Sequence, residues 1–133
     1  MELTWGDECF VCGSGNAEGL RLAFVVDEEQ RAIETVWVPR PAHQGYRGIV
    51  HGGLVTTVLD EAMGKLSAAL GMPAVTAELT VRFRKPVPPE RPLRVQGRIT
   101  EVRRRFLAGE AQATLEDGTV AAQATAKLMR SSL

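Results

Sequence analysis

The sequence predicts an α+β fold in which one long central helix is wrapped by a curved antiparallel sheet, in the order β-β-α-β-β-β-β. Three observations carry that expectation. One stretch, 53–70, repeats its apolar residues at the helical period, and six others alternate at the two-residue period of a half-buried strand. The last strand stretches turn mainly alanine and glycine inward, as a sheet must if it curls tightly around something bulky. An 18-residue helix is roughly 27 Å long, and strands of eight to eleven residues span about 26 to 36 Å, so the helix matches the sheet in length.

Leu20, Leu22, Phe24 and Val26 alternate with Arg21, Ala23 and Val25, and Asp27 to Gln30 turns the chain into a second strand from Arg31 to Val38. Pro39 and Pro41 end that strand and open a connector rich in proline, glycine and polar residues. From Gly53 to Leu70, a helical plot gathers Leu54, Val55, Val58, Leu59, Ala62, Met63, Leu66, Ala69 and Leu70 on one arc, with Glu61 and Lys65 expected to pair in solvent on the other side. Gly71 and Pro73 stop the helix. The next strand has Val75, Ala77, Leu79, Val81 and Phe83 as its inward set and closes at Lys85-Pro-Val-Pro-Pro. Then come Leu93, Val95, Gly97 and Ile99; Leu107, Gly109, Ala111, Ala113 and Leu115; and, after the hairpin signal Asp117-Gly118, Val120, Ala122, Ala124, Ala126 and Leu128.

With 133 residues, one domain over 1–133 is expected, residues 1–17 forming an N-terminal turn or extension that carries a CxxC. Sixteen basic residues balance sixteen acidic ones, so no overall field points to nucleic acid or an anionic membrane. The acidic N-terminus lacks an apolar secretory core, and no stretch approaches the roughly 20 apolar residues of a membrane span; a soluble, cytoplasmic protein is expected. Cys9 and Cys12 make up half of a four-cysteine zinc site, and His43 and His51 are not at finger spacing. The CxxC is therefore read as a turn with two half-buried thiols, and no metal is expected.

The most informative run is Gly48-Ile-Val-His-Gly-Gly-Leu-Val-Thr-Thr-Val-Leu-Asp60. Glycines at a helix start let a ligand approach free backbone N–H groups at the positive end of the helix dipole. Asp60 sits two turns further on, apart from Glu61 and Lys65, within a strip of small residues formed by Thr56, Thr57, Gly64 and Ser67. It is a candidate base or nucleophile.

His51-Gly52-Gly53 followed by Asp60, the connector His43-Gln-Gly-Tyr-Arg-Gly-Ile-Val, and the strand Ala74-Val-Thr-Ala-Glu-Leu-Thr-Val-Arg-Phe ending in Arg-Lys-Pro-Val resemble the hotdog-fold acyl-CoA thioesterases of the phenylacetic-acid-degradation type. The opening Cys9-Phe-Val-Cys-Gly also resembles the start of bacterial members. The resemblance implies that Asp60 is the catalytic carboxylate, that the Gly52 N–H polarises the thioester carbonyl, and that Thr76 is a hydroxyl assisting the attacking water. Gly45 departs from the asparagine that many active relatives carry. His43, Gly45, His51 and Gly53 are implied to flank the substrate. A coenzyme A would need its phosphates held, for which Arg82, Arg84 and Arg104 are candidates, although exposed arginines at strand ends are commonly plain surface. Neither route open to Asp60, activating a water or attacking the carbonyl, needs a cofactor.

Gly52 and Asp60 are eight residues apart on one helix, hence about 12 Å apart along its axis, too far to touch one carbonyl. If both serve one reaction, a two-fold dimer with antiparallel helices must bring them together. A homodimer or homotetramer is thus expected, with acyl-CoA as the substrate partner. The alternatives are an acyl-CoA binder without turnover, which the departure at Gly45 keeps open, and a hydratase, which would need a histidine where neither His43 nor His51 stands.

Overall fold

The computed structural model describes residues 2–131. Its elements are β1 (Val25–Asp27), β2 (Ala32–Trp37), a 3-10 turn (Pro41–His43), α1 (Gly52–Ala69), β3 (Ala74–Phe83), β4 (Leu93–Val102), β5 (Phe106–Thr114) and β6 (Val120–Arg130). The strands form one antiparallel sheet in the order β1-β2-β4-β5-β6-β3, with α1 packed on one face against every strand from β2 to β6. This is the hotdog arrangement.

The small inward residues do what their size predicts. Gly97 faces Ala111 and Ala111 faces Ala124 across β4, β5 and β6. A Cβ at Gly97 would lie 3.3 Å from Ala62 Cβ and 3.1 Å from Ile33 Cγ2, so the helix backbone comes down where the sheet has no side chain. Val58, Leu59, Ala62, Met63 and Leu66 fill the interface, all fully buried.

Four expectations are corrected. The first strand keeps its alternation, with Leu20, Leu22, Phe24 and Val26 half-buried between exposed neighbours, yet ladder pairing begins only at Val25. Arg21 adopts a left-handed φ of 52°, and Leu20 and Leu22 instead donate to the carbonyls of Phe10 and Val11. Ala69 is exposed rather than core. In β3, Val75 is 43% exposed and Ala77 is exposed, because a β-bulge between Thr76 and Glu78 shifts the register. Glu61 and Lys65 do not pair in solvent. The N-terminal segment lies over that side of α1, leaving Glu61 only 8% exposed, with the Cys9 thiol 3.3 Å from one of its carboxylate oxygens and the Cys12 sulfur 3.2 Å from Lys65 Nζ.

Candidate active site

The connector before α1 is a small braced loop. Gln44 and Val50 pair antiparallel, Gly48 turns the chain with a φ of 83°, and its N–H donates to the Gln44 side chain. His43 is buried against the ring of Trp37, and its Nδ1 accepts a 2.8 Å hydrogen bond from the Arg40 N–H. Burial, and secondly the Arg40 charge, hold the His43 pKa below the ordinary histidine value. The imidazole is thus a neutral brace under the loop.

His51 caps α1, its Nδ1 accepting from the Gly53 N–H at 2.9 Å. The Leu54 and Val55 amides donate to the His51 carbonyl, whereas the Gly52 N–H has no acceptor among the described residues. A helix leaves its first amides unpaired, and here the residue that carries one lines a cavity of about 400 Å³ together with Gly45, Tyr46, Ile49, Val50 and His51. Of these lining residues Tyr46 is 85% exposed.

Asp60 is half-buried and does not line that cavity. Its Oδ1 accepts a 2.6 Å hydrogen bond from the Thr76 hydroxyl. The bulge in β3 makes this possible. Thr76 pairs with Leu128, which faces the helix, and Glu78 with Lys127, which faces away, so Thr76, Leu79 and Val81 all share the helix side. Simple alternation puts Thr76 outward.

Arg82 and Arg84 line a larger cavity, about 910 Å³, on the opposite face of the sheet with Gln96, Gln112 and Gln123. There Arg84 donates to Gln123. Arg104 is exposed in the turn between β4 and β5. The structure therefore brings together Gly45, His51 and Gly52 at one end of α1, and Asp60 with Thr76 near its middle, but none of the three arginines lines the Gly52 cavity.

Residues 47–122, which hold Gly52, Asp60 and Thr76, match the profile of the thioesterase superfamily. The chain belongs to this superfamily. Among curated relatives of the thioesterase superfamily member, the acyl-coenzyme A thioesterase THEM4 of Rattus norvegicus is 30% identical over 114 residues, 84% of this chain and 49% of that protein. The chain spans at most half the length of the curated relatives it matches. A solved thioesterase superfamily protein superposes with a TM-score of 0.86 at 24% identity, covering 92% of this chain and 60% of that one. A phenylacetic acid degradation-related protein of Ralstonia eutropha JMP134 is 27% identical, with a TM-score of 0.75, covering 83% of this chain and 85% of that one. No described helix is long and apolar enough to cross a membrane.

Sequence reasoning missed Glu61 as a member of the cysteine cluster. Its (i, i+4) spacing to Lys65 has an ordinary surface explanation, and no periodicity marks the segment that covers it.

Proposed function

We propose that the chain, taken as one domain over 1–133, hydrolyses acyl-CoA thioesters at a site shared between two subunits of a homodimer, or of a tetramer built from such dimers. The observation that carries this is the separation of two reactive groups along α1. Gly52, whose N–H has no acceptor among the described residues, lines a cavity at one end, and a carboxylate held by a hydroxyl, Asp60 on Thr76, lies eight residues on. Attack on a thioester puts negative charge on the carbonyl oxygen, where a preorganised N–H is worth on the order of 10² to 10³ in rate. Thr76 engages Oδ1 of Asp60. Oδ2 is left to take the proton of a water that attacks the acyl carbon as the thiolate of coenzyme A departs.

Self-association is supported by β3. It is the sheet edge opposite β1, ten residues long, with Val75 at 43% and Phe83 at 54% exposed. An unpaired apolar edge of this length is a template for a second strand, and two copies of β3 paired about a two-fold axis would continue the sheet. Phe83 also touches the start of α1, since a Cβ at Gly52 would meet its ring at 3.4 Å. An interface there reaches both halves of the proposed site. The substrate class is supported by the name of the THEM4 relatives.

The test is a panel of acyl-CoA esters, short, long and aromatic, assayed for free coenzyme A with a thiol reagent. Release of coenzyme A supports the proposal. Thermal stabilisation by the esters without release supports the second reading, an acyl-CoA binder, which the glycine at position 45 of the cavity favours.

A further inference from the structure

We propose that Cys9, Cys12 and Glu61 bind one thiophilic divalent cation, zinc(II), which fastens the N-terminal segment onto the outer side of α1. The cysteines lie outside residues 47–122, the part that matches the superfamily, so this site is an addition to the proposed thioesterase chemistry and does not depend on it.

The segment is a built element. Gly13 donates its N–H to the Cys9 carbonyl at 2.8 Å, closing the CxxC turn, and a Cβ at Gly13 would lie 2.1 Å from the Asp7 carbonyl oxygen, so only glycine fits. Gly19 is equally confined, 2.3 Å from the Phe10 oxygen. Val11 inserts into the core at 4% exposure and anchors the turn. Anchored in this way, the two sulfurs face Glu61.

Three features of the cluster call for a cation. The two sulfurs and a Glu61 oxygen all lie within 4.8 Å of one another, and Cys9 Sγ is 3.3 and 3.6 Å from the two carboxylate oxygens. Tetrahedral zinc, with bonds of about 2.3 Å to sulfur and 2.0 Å to oxygen, holds its ligand atoms roughly 3.5 to 3.8 Å apart, so closure needs little movement. Secondly, Glu61 is buried with no basic side chain in salt-bridge reach among the described residues; the Lys65 ammonium goes to the Cys12 sulfur instead, so the buried carboxylate lacks the direct ion pair that normally offsets its desolvation. Thirdly, the Cys12 sulfur accepts from the Trp5 indole N–H at 2.9 Å and from Lys65 Nζ at 3.2 Å, the outer donors that orient a thiolate ligand. Two thiolates, one carboxylate and the Lys65 ammonium sum to a charge of −2, which zinc(II) cancels. Water completes the tetrahedron, because both histidines are committed elsewhere, His43 to the Arg40 amide and His51 to the Gly53 amide. Binding converts two thiols and one carboxylate into a zinc bis-thiolate carboxylate and releases two protons.

The test uses the full chain, reduced and stripped with a chelator, and reads metal rather than turnover. Titration with cobalt(II) is expected to give a sulfur-to-cobalt charge-transfer band and tetrahedral visible bands that saturate at one equivalent per chain. Zinc(II) should displace the cobalt and raise Tm. Cys9→Ser and Cys12→Ser should lose the sulfur band, whereas Glu61→Gln, which keeps the side-chain shape, should keep the band and bind at least about tenfold more weakly. Circular dichroism of each variant separates loss of metal from loss of fold. The proposal is overturned if reduced wild-type protein gives no stoichiometric band, if it merely closes a Cys9–Cys12 disulfide on air oxidation without taking up metal, or if Glu61→Gln binds as tightly as wild type.

Discussion

The Thr76 hydroxyl donates a 2.6 Å hydrogen bond to Oδ1 of Asp60, joining β3 to the middle of α1. It exists because one extra residue in β3 turns Thr76 onto the face of the sheet that carries the helix. A hydrogen bond to a charged group contributes about 1.5 to 3 kcal/mol, and 1.4 kcal/mol is tenfold in rate. Thr76→Ala is therefore expected to lower kcat by about 10- to 100-fold with KM little changed, and Thr76→Ser to retain most activity. Asp60→Asn should reduce acyl-CoA hydrolysis to background while leaving the fold and oligomer mass intact. Full activity in that variant would remove the carboxylate from the reaction.

A shared site makes a quantitative prediction about mixed subunits. Gly52→Pro removes the N–H without unwinding α1, because proline suits the first helical position and His51, with ψ 126°, already lies outside the α region that proline disfavours in the residue before it. Gly52→Pro and Asp60→Asn should each be inactive alone. Mixed in equal amounts and allowed to exchange, half the dimers are hybrids, each with one intact and one doubly defective site, so about a quarter of wild-type activity should return. If both groups acted within one chain, the mixture would stay dead.

Residues whose role follows from local spacing were legible in the sequence. The period of α1, the inward glycines and alanines of β4 to β6, and the Gly52–Asp60 separation all come from chain geometry that tertiary context leaves unchanged. The inward set of β3 was legible at Leu79 and Val81 but not before them, because a bulge is a one-residue event that alternation cannot anticipate and that exposes Val75 and Ala77. Glu61 was misread for a different reason. Whether a helix face meets water depends on what else folds over it, and the covering turn is held by glycine contacts and Val11 rather than by any repeat. His51 lay between these cases. Its place beside the glycine pair marked it as a candidate, but the bond that makes it a cap, Nδ1 accepting from the Gly53 N–H, comes from the structure.

Gly45 lines the same cavity as Gly52. A Cβ there would meet His51 Cα and Cδ2 at 3.4 Å, an ordinary contact, and its backbone is not in the left-handed region, so asparagine fits without strain. One added amide donor to the carbonyl oxygen or to the water should be worth about 1 kcal/mol. Gly45→Asn is expected to raise kcat several-fold on the best ester of the panel, with Tm within about 2 °C of wild type. An unchanged or lower kcat would show that the glycine is not what limits turnover.

His43 sets a pH dependence. Its pKa lies below the ordinary value because it is buried and because Arg40 is charged nearby, so on acidification the unfolded chain takes up the proton first. Stability is therefore full above the unfolded histidine pKa of about 6.5 and falls as pH drops below it. Protonating Nδ1 also breaks the bond from the Arg40 N–H. Tm should decline between about pH 7 and pH 5, and His43→Asn, which can accept the same bond, should remove the histidine part of that decline. Parallel Tm curves for the two proteins would sink this account.

The closeness of α1 to the sheet rests on two glycines with unequal latitude. At Gly97 a methyl group would meet Ile33 Cγ2 at 3.1 Å and Ala62 Cβ at 3.3 Å, both fixed on packed, fully structured elements. At Gly109 its nearest neighbours are Met63 Sδ and Cγ, at 3.1 and 3.2 Å, on a side chain with three rotatable bonds. Overpacking a core costs about 1 to 3 kcal/mol where neighbours cannot give way, and alanine also removes the backbone entropy that glycine loses on folding, a gain of roughly 0.4 to 1 kcal/mol in a strand-compatible conformation. The first effect should win at Gly97, and the two should nearly cancel at Gly109. Urea unfolding is expected to place Gly97→Ala about 1 to 2 kcal/mol below wild type and Gly109→Ala within about 0.5 kcal/mol of it. Equal losses at the two positions would mean that the gap between helix and sheet is set by the strands' curvature and not by what fills it.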